Sequence, residues 1–167
     1  AHTMGADVSL ITSKSFPTDP GIKVIQARSS KEMHDALKAV LTPSSHLIMA
    51  AAVSDFTIEP SQHKLKRQEG LQLNLVPTED ILKDLGSRKT DKQTFIGFCL
   101  EDNDLIKVGL EKKSKKNCDF MICNSSDSIG NNIRNFSVID TKNAITPYSD
   151  LSVEESAKTI LELLKPH

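Results

Sequence analysis

Residues 49–56, with the sequence MAAAVSDF, decide the fold, because an apolar strand ends there in small residues and an acid. The pattern predicts a strand over residues 46–53. Alanine has a low β-propensity, so three alanines in succession indicate that something packs closely against this part of the backbone. In open α/β sheets, ligands bind beyond the carboxyl ends of the strands. The stretch therefore predicts a ligand site at the edge of an α/β sheet.

Short apolar runs alternate with amphipathic helical patterns along most of the chain, which is typical of βα units on a largely parallel sheet. Capping boxes open two helices, at residues 29–32 and 152–155. Two further helices are predicted, a short one capped by Thr78 and ended by Gly86, and one over residues 103–116. The apolar runs predict strands at residues 8–12, 22–27, 46–53, 95–100, 119–123 and 136–140. This order predicts a Rossmann-like α/β fold of three layers.

Two segments depart from the alternation. Residues 57–70 are polar and loop-like, and Leu71, Leu73 and Leu75 then alternate as in a half-exposed strand, which predicts a small β excursion from the main sheet. The first six residues, AHTMGA, resemble the last turn of a helix with its glycine terminator. A βα sheet normally opens with a strand before such a helix, so the pattern predicts a domain that is truncated at its N-terminus and lacks its first strand.

The composition favours a single domain, and its charge balance argues against some classes of partner while local basic clusters can still bind small anions. A chain of 167 residues is long enough to bury a substantial core. With 21 basic and 22 acidic side chains, the net charge of −1 argues against a protein that covers nucleic acid or an anionic membrane. No apolar run approaches the roughly 20 residues of a membrane span, and the start lacks a signal-peptide core. We therefore expect a cytoplasmic protein.

The residue types that most often carry covalent or metal chemistry show no motif. Cys99, Cys118 and Cys123 lie in or beside apolar runs without zinc-type spacing, which favours reduced core thiols over disulfides or metal ligands. The five histidines are scattered, and we predict that they lie on the surface. No Ser-His-Asp or Cys-His set, Walker A motif or G-x-G-x-x-G turn is present. Acid-base or covalent hydrolysis is weakly supported, and no metal ligand is assigned.

Asp55 and the basic residues that follow it are the first candidates for a site. A carboxylate just past a strand end can accept hydrogen bonds from a base or ribose, or help to hold a metal, but it can equally cap a turn. Lys64, Lys66 and Arg67 could neutralise phosphates, although a run of three charges is more often a solvated face. The residues alone leave both alternatives open.

A second group of basic residues, all lysines, lies at the C-terminal end of the helix predicted at 103–116. Cations at a helix C-terminus are stabilised by the helix dipole, by about 0.3 to 1 kcal/mol each. Four lysines in the five positions 112–116 exceed what a cap needs, and a diphosphate or triphosphate would relieve their repulsion. Phe98 is either a core aromatic or a platform on which a base stacks. The pattern suits a site that positions an anionic nucleotide and stabilises developing charge.

Taken together and in order, these motifs resemble phosphopantothenoylcysteine synthetase, which in many bacteria forms the C-terminal half of the bifunctional coenzyme A biosynthesis flavoprotein. The resemblance runs from Gly5 to about Leu164. Its motifs are AAVSDF at 51–56, KLK at 64–66, TEDIL at 78–82, IGF at 96–98 followed by Glu101, and KKSKKN at 112–117 continuing through Asp119 to Asn124. The ordered set is more specific than any single motif.

The resemblance implies a ligase that joins 4'-phosphopantothenate to L-cysteine. Bacterial members use CTP to convert the carboxylate into an acyl-cytidylate with release of pyrophosphate, and the amine of cysteine then forms the amide and releases CMP. The sequence does not decide between CTP and ATP, and the resemblance implies Mg²⁺ as well. It further implies a homodimer, with the excursion at 71–75 as a contact, and a decarboxylase that is fused to the chain or associated with it.

The resemblance also assigns roles to individual residues. Lys64 is the catalytic candidate, since a lysine near the acyl phosphate can stabilise transition-state charge or steer the cysteine amine. Ala50 and Ala51 would approach the nucleotide through their backbone, and Asp55 would contact its base or sugar. The nucleotide-binding set comprises Met49, Ala50, Ala51, Asp55, Lys64, Glu79, Asp80, Ile81, Leu82, Phe98, Lys112 and Lys116, and the substrate-binding set comprises Ala51, Ala52 and Asn124.

One departure from the family bears on activity. Family members begin with a strand and a glycine-rich, phosphate-binding loop. This sequence, which starts at Ala1, contains no counterpart of these two elements, so we expect low or no activity from these 167 residues. Ser54 and the pair Cys99-Leu100 stand where alanines are usual, which the fold should tolerate. A nucleotide-binding module without catalysis is the main alternative. A Rossmann-type NAD(P) oxidoreductase is a weaker one, because the glycine fingerprint is missing.

Overall fold

The computed structural model describes residues 1–58, 73–126 and 132–164. Its helices are α1 (Ser30–Leu41), α2 (Ile81–Ser87), α3 (Leu105–Lys115) and α4 (Val153–Glu162). Its strands are β1 (Ser9–Thr12), β2 (Lys23–Gln26), β3 (His46–Met49), β4 (Phe56–Ile58), β5 (Leu75–Pro77), β6 (Thr94–Leu100), β7 (Phe120–Asn124), β8 (Ile133–Ile139) and β9 (Ile145–Ser152).

The main sheet has five strands in the order β3-β6-β7-β8-β9. Its first three strands run parallel, and β8 and β9 continue it in antiparallel fashion. Strands β1 and β2 form a separate parallel pair. The predicted α/β fold with a mostly parallel sheet is confirmed, and the carboxyl ends of β3, β6 and β7 lie together at one edge.

Two hydrophobic clusters cover the two faces of this sheet. The larger one contains the buried faces of α1 and α2 together with Phe95, Cys99 and Met121, and residues of α3 pack against it. The smaller one contains Ile96 and Ile122, against which residues of α4 pack. Neighbouring residues of one strand therefore point into different clusters, as the pleat of a strand requires. The result is the predicted three-layer arrangement of helix, sheet and helix.

The predicted excursion is present as a small antiparallel pair. Strand β4 pairs with β5, with Thr57 opposite Val76. The expectation that the chain is loop-like directly after Phe56 was wrong, because the strand continues to Ile58. Of the alternating leucines, Leu75 begins β5, Leu73 precedes it, and Leu71 lies outside the described residues.

The N-terminal caps of α1 and α4 agree in part with the predicted capping boxes. Ser152 and Glu155 form a complete capping box at α4. At α1, the Ser29 side chain accepts a hydrogen bond from Glu32 N at 3.1 Å, as predicted, but the Glu32 carboxylate accepts from Arg28 N at 2.8 Å rather than from the cap residue. The box predicted at residues 29–32 is therefore only half formed.

Helix α2 corrects two predictions. Its N-cap is Asp80 rather than Thr78, because the Asp80 carboxylate accepts a hydrogen bond from Lys83 N at 3.1 Å. Gly86 lies within the helix instead of ending it. A Cβ atom at Gly86 would overlap the carbonyl oxygen of Lys116, so the glycine allows α2 to pack closely on the end of α3.

Three further features differ from the sequence-based expectation or extend it. The strand predicted over residues 46–53 ends at Met49, which is the last residue of β3 that pairs with β6. Strand β9 was missed, because it contains Pro147 and few apolar residues; as the edge strand of the sheet it can accommodate a proline. Near the start, a short 3₁₀ helix (His2–Met4) ends at Gly5 in the left-handed conformation, in accord with the predicted glycine terminator.

The helices in the described parts of the chain are all too short or too polar to cross a membrane.

We expect Gly109→Ala to destabilise the protein, although alanine favours helices over glycine by about 1 kcal/mol. A Cβ atom at Gly109 would overlap the Cys123 sulfur and lie 3.0 Å from Ile139 Cδ1, so α3 would be pushed away from the sheet. Overpacking of this kind costs about 1 to 3 kcal/mol. Urea denaturation measures the loss, with Ser114→Ala on the exposed face of α3 as control. An equal or higher urea midpoint for Gly109→Ala would contradict the close approach.

Candidate active site

The lysines at the end of α3 have different roles. Lys112 Nζ lies 2.6 Å from a Glu101 carboxylate oxygen, and Lys116 Nζ lies 3.2 Å from Asp80 Oδ1. Lys113 is buried, and its ammonium donates to the side-chain oxygen of Asn143 at 3.0 Å. The structure therefore pairs Lys112 with Glu101, which directly follows β6, and Lys116 with Asp80 at the start of α2, whereas Lys113 stabilises the fold.

The charge of Lys112 links it to several groups around the carboxyl end of β6. Its hydrogen bond to Glu101 raises the pKa of the ammonium, and the Cys99 and Asp55 side chains act in the same direction. Partial burial opposes this effect. Asp55 thus lies within the electrostatic reach of Lys112, as expected for two members of one site. The ammonium is positively charged at neutral pH and available to an anionic ligand.

The alanine stretch that follows β3 is exposed and has no regular secondary structure. Ala50, Ala51 and Ala52 are all open to solvent, and Met49 before them is half-buried against the larger cluster. The backbone oxygen of Asp55 accepts a hydrogen bond from Thr78 N at 2.8 Å, which ties this stretch to the start of α2. With respect to the residues that the structure describes, the backbone at the end of β3 is therefore accessible.

In the segment 79–82, the two acidic side chains are exposed and the two apolar side chains are buried. Ile81 and Leu82 are buried in the core, with exposures of 3% and 5%. Glu79 and Asp80 are exposed at the start of α2. Of the four residues predicted to line a nucleotide, only the two acids direct their side chains outward, and Ile81 and Leu82 support the site from behind.

Phe98 and Asn124 lie on the other face of the sheet. With Ile122, Phe136 and residues of α4 they line a cavity of about 250 Å³. Phe98 follows Gly97 and precedes Cys99, whose thiol faces the larger cluster beside Lys112, so the Phe98 ring points away from the two lysines. The structure brings Asp55, Asp80, Lys112 and Lys116 toward one another and places the side chains of Phe98 and Asn124 in a separate cavity. Lys64, the predicted catalytic residue, lies outside the described residues.

His34 contradicts the prediction that the histidines lie on the surface. It is 3% exposed and lies between two carboxylates, with Nδ1 3.1 Å from Glu79 Oε2 and Nε2 2.8 Å from Asp84 Oδ2. The sequence did contain a signal, because His34 precedes Leu37 and Leu41 by three and seven residues and so shares the apolar face of α1.

The same three residues are the metal-ligand candidates among the residues that the structure describes. One ligand atom from each of His34, Glu79 and Asp84 lies within 4.8 Å of the others. The carboxylates approach opposite nitrogens of one imidazole ring, however, and a single ion cannot be bound by both nitrogens. Arg88 also lies 2.8 Å from Asp84 and supplies positive charge there. The arrangement therefore suits a hydrogen-bonded histidine better than a metal centre.

The three cysteines are free and buried, as predicted. Burial raises the pKa of the Cys118 thiol to about 11 and that of Cys123 to about 12, and it also raises the pKa of Cys99. Thiols held in this form are poor nucleophiles. The described part of the site therefore offers cations, carboxylates and backbone groups, which suit the binding of an anionic ligand.

Comparisons with known proteins show the family and the fold of the chain. The sequence model of the family "DNA/pantothenate metabolism flavoprotein C-terminal domain" matches residues 1–166. A cysteine/cysteine sulfinic acid decarboxylase from an unknown prokaryotic organism is 35% identical over 96% of this chain and 47% of its own length. The coenzyme A biosynthesis bifunctional protein CoaBC of Borreliella burgdorferi is 33% identical over 98% of this chain and 43% of its own length.

Two solved structures share the fold. The C-terminal domain of a CoaBC protein superimposes with a TM-score of 0.79 at 23% identity, over 98% of this chain and 75% of that one. A Cab2 mutant in complex with phosphopantothenate-cysteine superimposes with a TM-score of 0.67 at 19% identity, over 86% of this chain and 52% of that one. The chain spans less than half the length of the two curated relatives above.

Asp84 is expected to stabilise the fold in a pH-dependent way. Hydrogen bonds from His34 and Arg88 lower the pKa of its carboxyl below the ordinary 3.8. A lowered pKa gives stability that is present above the unfolded-state pKa and is lost as the pH falls through the folded-state pKa. Asp84→Asn should therefore lower the urea midpoint at pH 7, and its difference from the unmodified chain should narrow toward pH 3.

The control for this measurement is Asp35→Asn, whose carboxylate forms an exposed ion pair with Lys31. It should change the midpoint less than Asp84→Asn does at pH 7. A constant difference between Asp84→Asn and the unmodified chain from pH 7 to pH 3 would count against the ionised Asp84 network.

Proposed function

The chain belongs to the DNA/pantothenate metabolism flavoprotein C-terminal domain family, and we propose that it is the ligase part of coenzyme A biosynthesis, which joins 4'-phosphopantothenate to L-cysteine. The observation that carries the proposal is the pair of ammonium groups of Lys112, beside Glu101 at the end of β6, and Lys116, beside Asp80 at the start of α2. The relative named for coenzyme A biosynthesis and the Cab2 complex with phosphopantothenate-cysteine support it.

The reaction requires activation of a carboxylate, and we propose CTP rather than ATP as the co-substrate. The carboxylate of 4'-phosphopantothenate attacks the α-phosphorus of CTP, which forms an acyl-cytidylate and releases pyrophosphate. The cysteine amine then attacks the acyl carbon, loses a proton and releases CMP. Both steps develop negative charge on phosphate oxygens, which positioned cations stabilise.

Lys112 and Lys116 provide this stabilisation in the proposed mechanism. In the ligand-free chain each ammonium is paired with a partly exposed carboxylate, Glu101 or Asp80. Such pairs are worth about 0 to 1 kcal/mol, so phosphates can replace the carboxylates at small cost. The carboxylate oxygens released in this way are ligands that suit Mg²⁺, which would supply further positive charge to the triphosphate when bound.

The remaining roles follow the family resemblance. Lys64 is proposed to stabilise the transition state at the acyl phosphate, and Asp55 to contact the nucleotide. The accessible backbone of Ala50 and Ala51 and the exposed side chain of Ala52 leave room for nucleotide and substrate. We further propose a cytoplasmic location and a decarboxylase as the fused or associated partner.

We expect the chain to bind CTP with Mg²⁺ more tightly than ATP, and Lys112→Ala to weaken CTP binding at least tenfold. The expectation follows from the loss of one charge-assisted bond to phosphate, worth about 1.5 to 3 kcal/mol. Isothermal titration calorimetry measures the affinities, with Lys107→Ala, an exposed lysine of the same helix, as control.

An assay of phosphopantothenoylcysteine formation then distinguishes a ligase from a nucleotide-binding module. CTP binding without product in the 167-residue chain would support the module, or a ligase that needs a further segment. Absence of binding to either nucleotide would contradict the proposed function.

We propose a homodimer that forms through the pair β4–β5. Phe56, Ile58 and Leu75 are 57%, 49% and 58% exposed in this small sheet, and exposed apolar side chains that lie together often mark a protein–protein contact. Ile58→Lys should shift the chain from dimer to monomer in sedimentation velocity, because a charge would be buried in the contact. Val153→Lys, on the exposed start of α4, is the matched control. A monomer at high concentration in the unmodified chain would contradict the proposal.

A further inference from the structure

The buried histidine of α1 links three elements around the entrance to α2. His34 Nδ1 lies 3.1 Å from Glu79 Oε2, just before α2, and Nε2 lies 2.8 Å from Asp84 Oδ2, within α2. The His34 side chain is 4% exposed, that of Asp84 18% and that of Glu79 66%. The contact between His34 and Asp84 is therefore largely buried, whereas the contact between His34 and Glu79 ends in a carboxylate that faces solvent.

Ionised carboxylates only accept hydrogen bonds, so both contacts of His34 are satisfied when the imidazolium donates from each nitrogen. The groups that surround this network come from two helices and the segment before α2. Arg88 and Lys38 lie 2.8 and 3.9 Å from the Asp84 carboxylate, and Asp35 is near enough to be influenced by His34. Arg88 and Lys38 both contact Asp84 rather than Glu79. Among the described residues, His34 is therefore the main partner of the Glu79 carboxylate.

Glu79 and Asp80 turn their side chains in opposite directions. The Asp80 carboxylate caps α2 and contacts Lys116 on the side of α3. The Glu79 carboxylate points to α1 and is held there by His34. Glu79 directly precedes Asp80, whose carboxylate contacts Lys116. If the phosphates of a nucleotide lie at Lys112 and Lys116, the part of the nucleotide beside Glu79 is not a phosphate, because the Glu79 carboxylate repels phosphates.

We propose that His34 is a positioning residue of the nucleotide site, and that it holds Glu79 so that the exposed oxygen of this carboxylate accepts a hydrogen bond from a ribose hydroxyl. The inference rests on the proposed nucleotide-dependent function. Ribose hydroxyls are donors that an oriented acidic side chain recognises in other nucleotide sites on α/β sheets. Fixing the carboxylate before binding reduces the entropy that is lost when the ligand is bound. His34 contributes to affinity and sugar selectivity without touching the nucleotide.

The test compares CTP with 2'-deoxy-CTP and 3'-deoxy-CTP, each with Mg²⁺, by calorimetric titration of four chains: unmodified, His34→Gln, Glu79→Ala and the double variant. We expect the unmodified chain to prefer CTP to at least one deoxynucleotide by about ten- to hundredfold, the value of one hydrogen bond to a charged group. Glu79→Ala should bring this ratio close to one. His34→Gln should lower it to an intermediate value, because both donors of glutamine lie on one nitrogen, which cannot take the places of the two ring nitrogens that contact Glu79 and Asp84.

The double variant separates positioning from general structural damage. If His34 acts through Glu79, the substitution of His34 has no further effect on the ratio once Glu79 is alanine, whereas independent effects would add. Asp35→Ala, on the exposed face of the same helix, should leave the ratio unchanged.

Each outcome bears on the proposal. A ratio that Glu79→Ala leaves at the value of the unmodified chain overturns the ribose contact, even if His34→Gln fails to fold. A ratio changed by Glu79→Ala but not by a folded His34→Gln overturns the positioning role. Failure of the unmodified chain to bind CTP or ATP overturns the proposed function and this role with it, and is distinguished from the other results by that absence of binding.

Discussion

The burial of β6 on both of its faces is the constraint on which the rest of the structure depends. Phe95 and Ile96 are consecutive residues, each 0% exposed, and each belongs to a different hydrophobic cluster. Since β6 pairs with β3 on one side and β7 on the other, its register fixes where all three strands end. Its carboxyl end delivers Glu101 to Lys112 and turns Phe98 to the opposite face. The position of the candidate site is thus a consequence of how the core is packed.

The site combines a rigid base with readily exchanged ion pairs. Helix α3 is fixed on the sheet by Gly109, by the buried Lys113 and by its contact with Gly86 of α2, so the positions of its lysines vary little. The ammonium groups themselves end in partly exposed pairs with Glu101 and Asp80, which contribute little to stability. Because each ammonium is paired with a carboxylate, the repulsion between the two cations is reduced, and phosphates can take over the same role on binding.

The sequence predicted what local patterns determine and failed where distant contacts decide. Helices α1 and α4 and strand β6 were predictable, because their periodicity and caps are local. The edge strand β9 was not, because its polar residues and Pro147 are acceptable only through pairing with β8. For the site, the lysines were recognised as a group, but their separate partners were not. The hydrogen-bond partners of the buried His34 lie 45 and 50 residues away along the chain, beyond the range of any local pattern.

The segment 79–80 shows how such distant contacts produce a site from ordinary structural elements. Each of its two acids contacts a different helix. Glu79 contacts α1 through His34, and Asp80 contacts α3 through Lys116. A single displacement of α2 would break both contacts, whereas a side-chain rotation would break only one. The buried pair of Ile81 and Leu82 resists the displacement, since moving them exposes apolar surface. We therefore expect the backbone that presents the two acids to stay in place when a ligand binds.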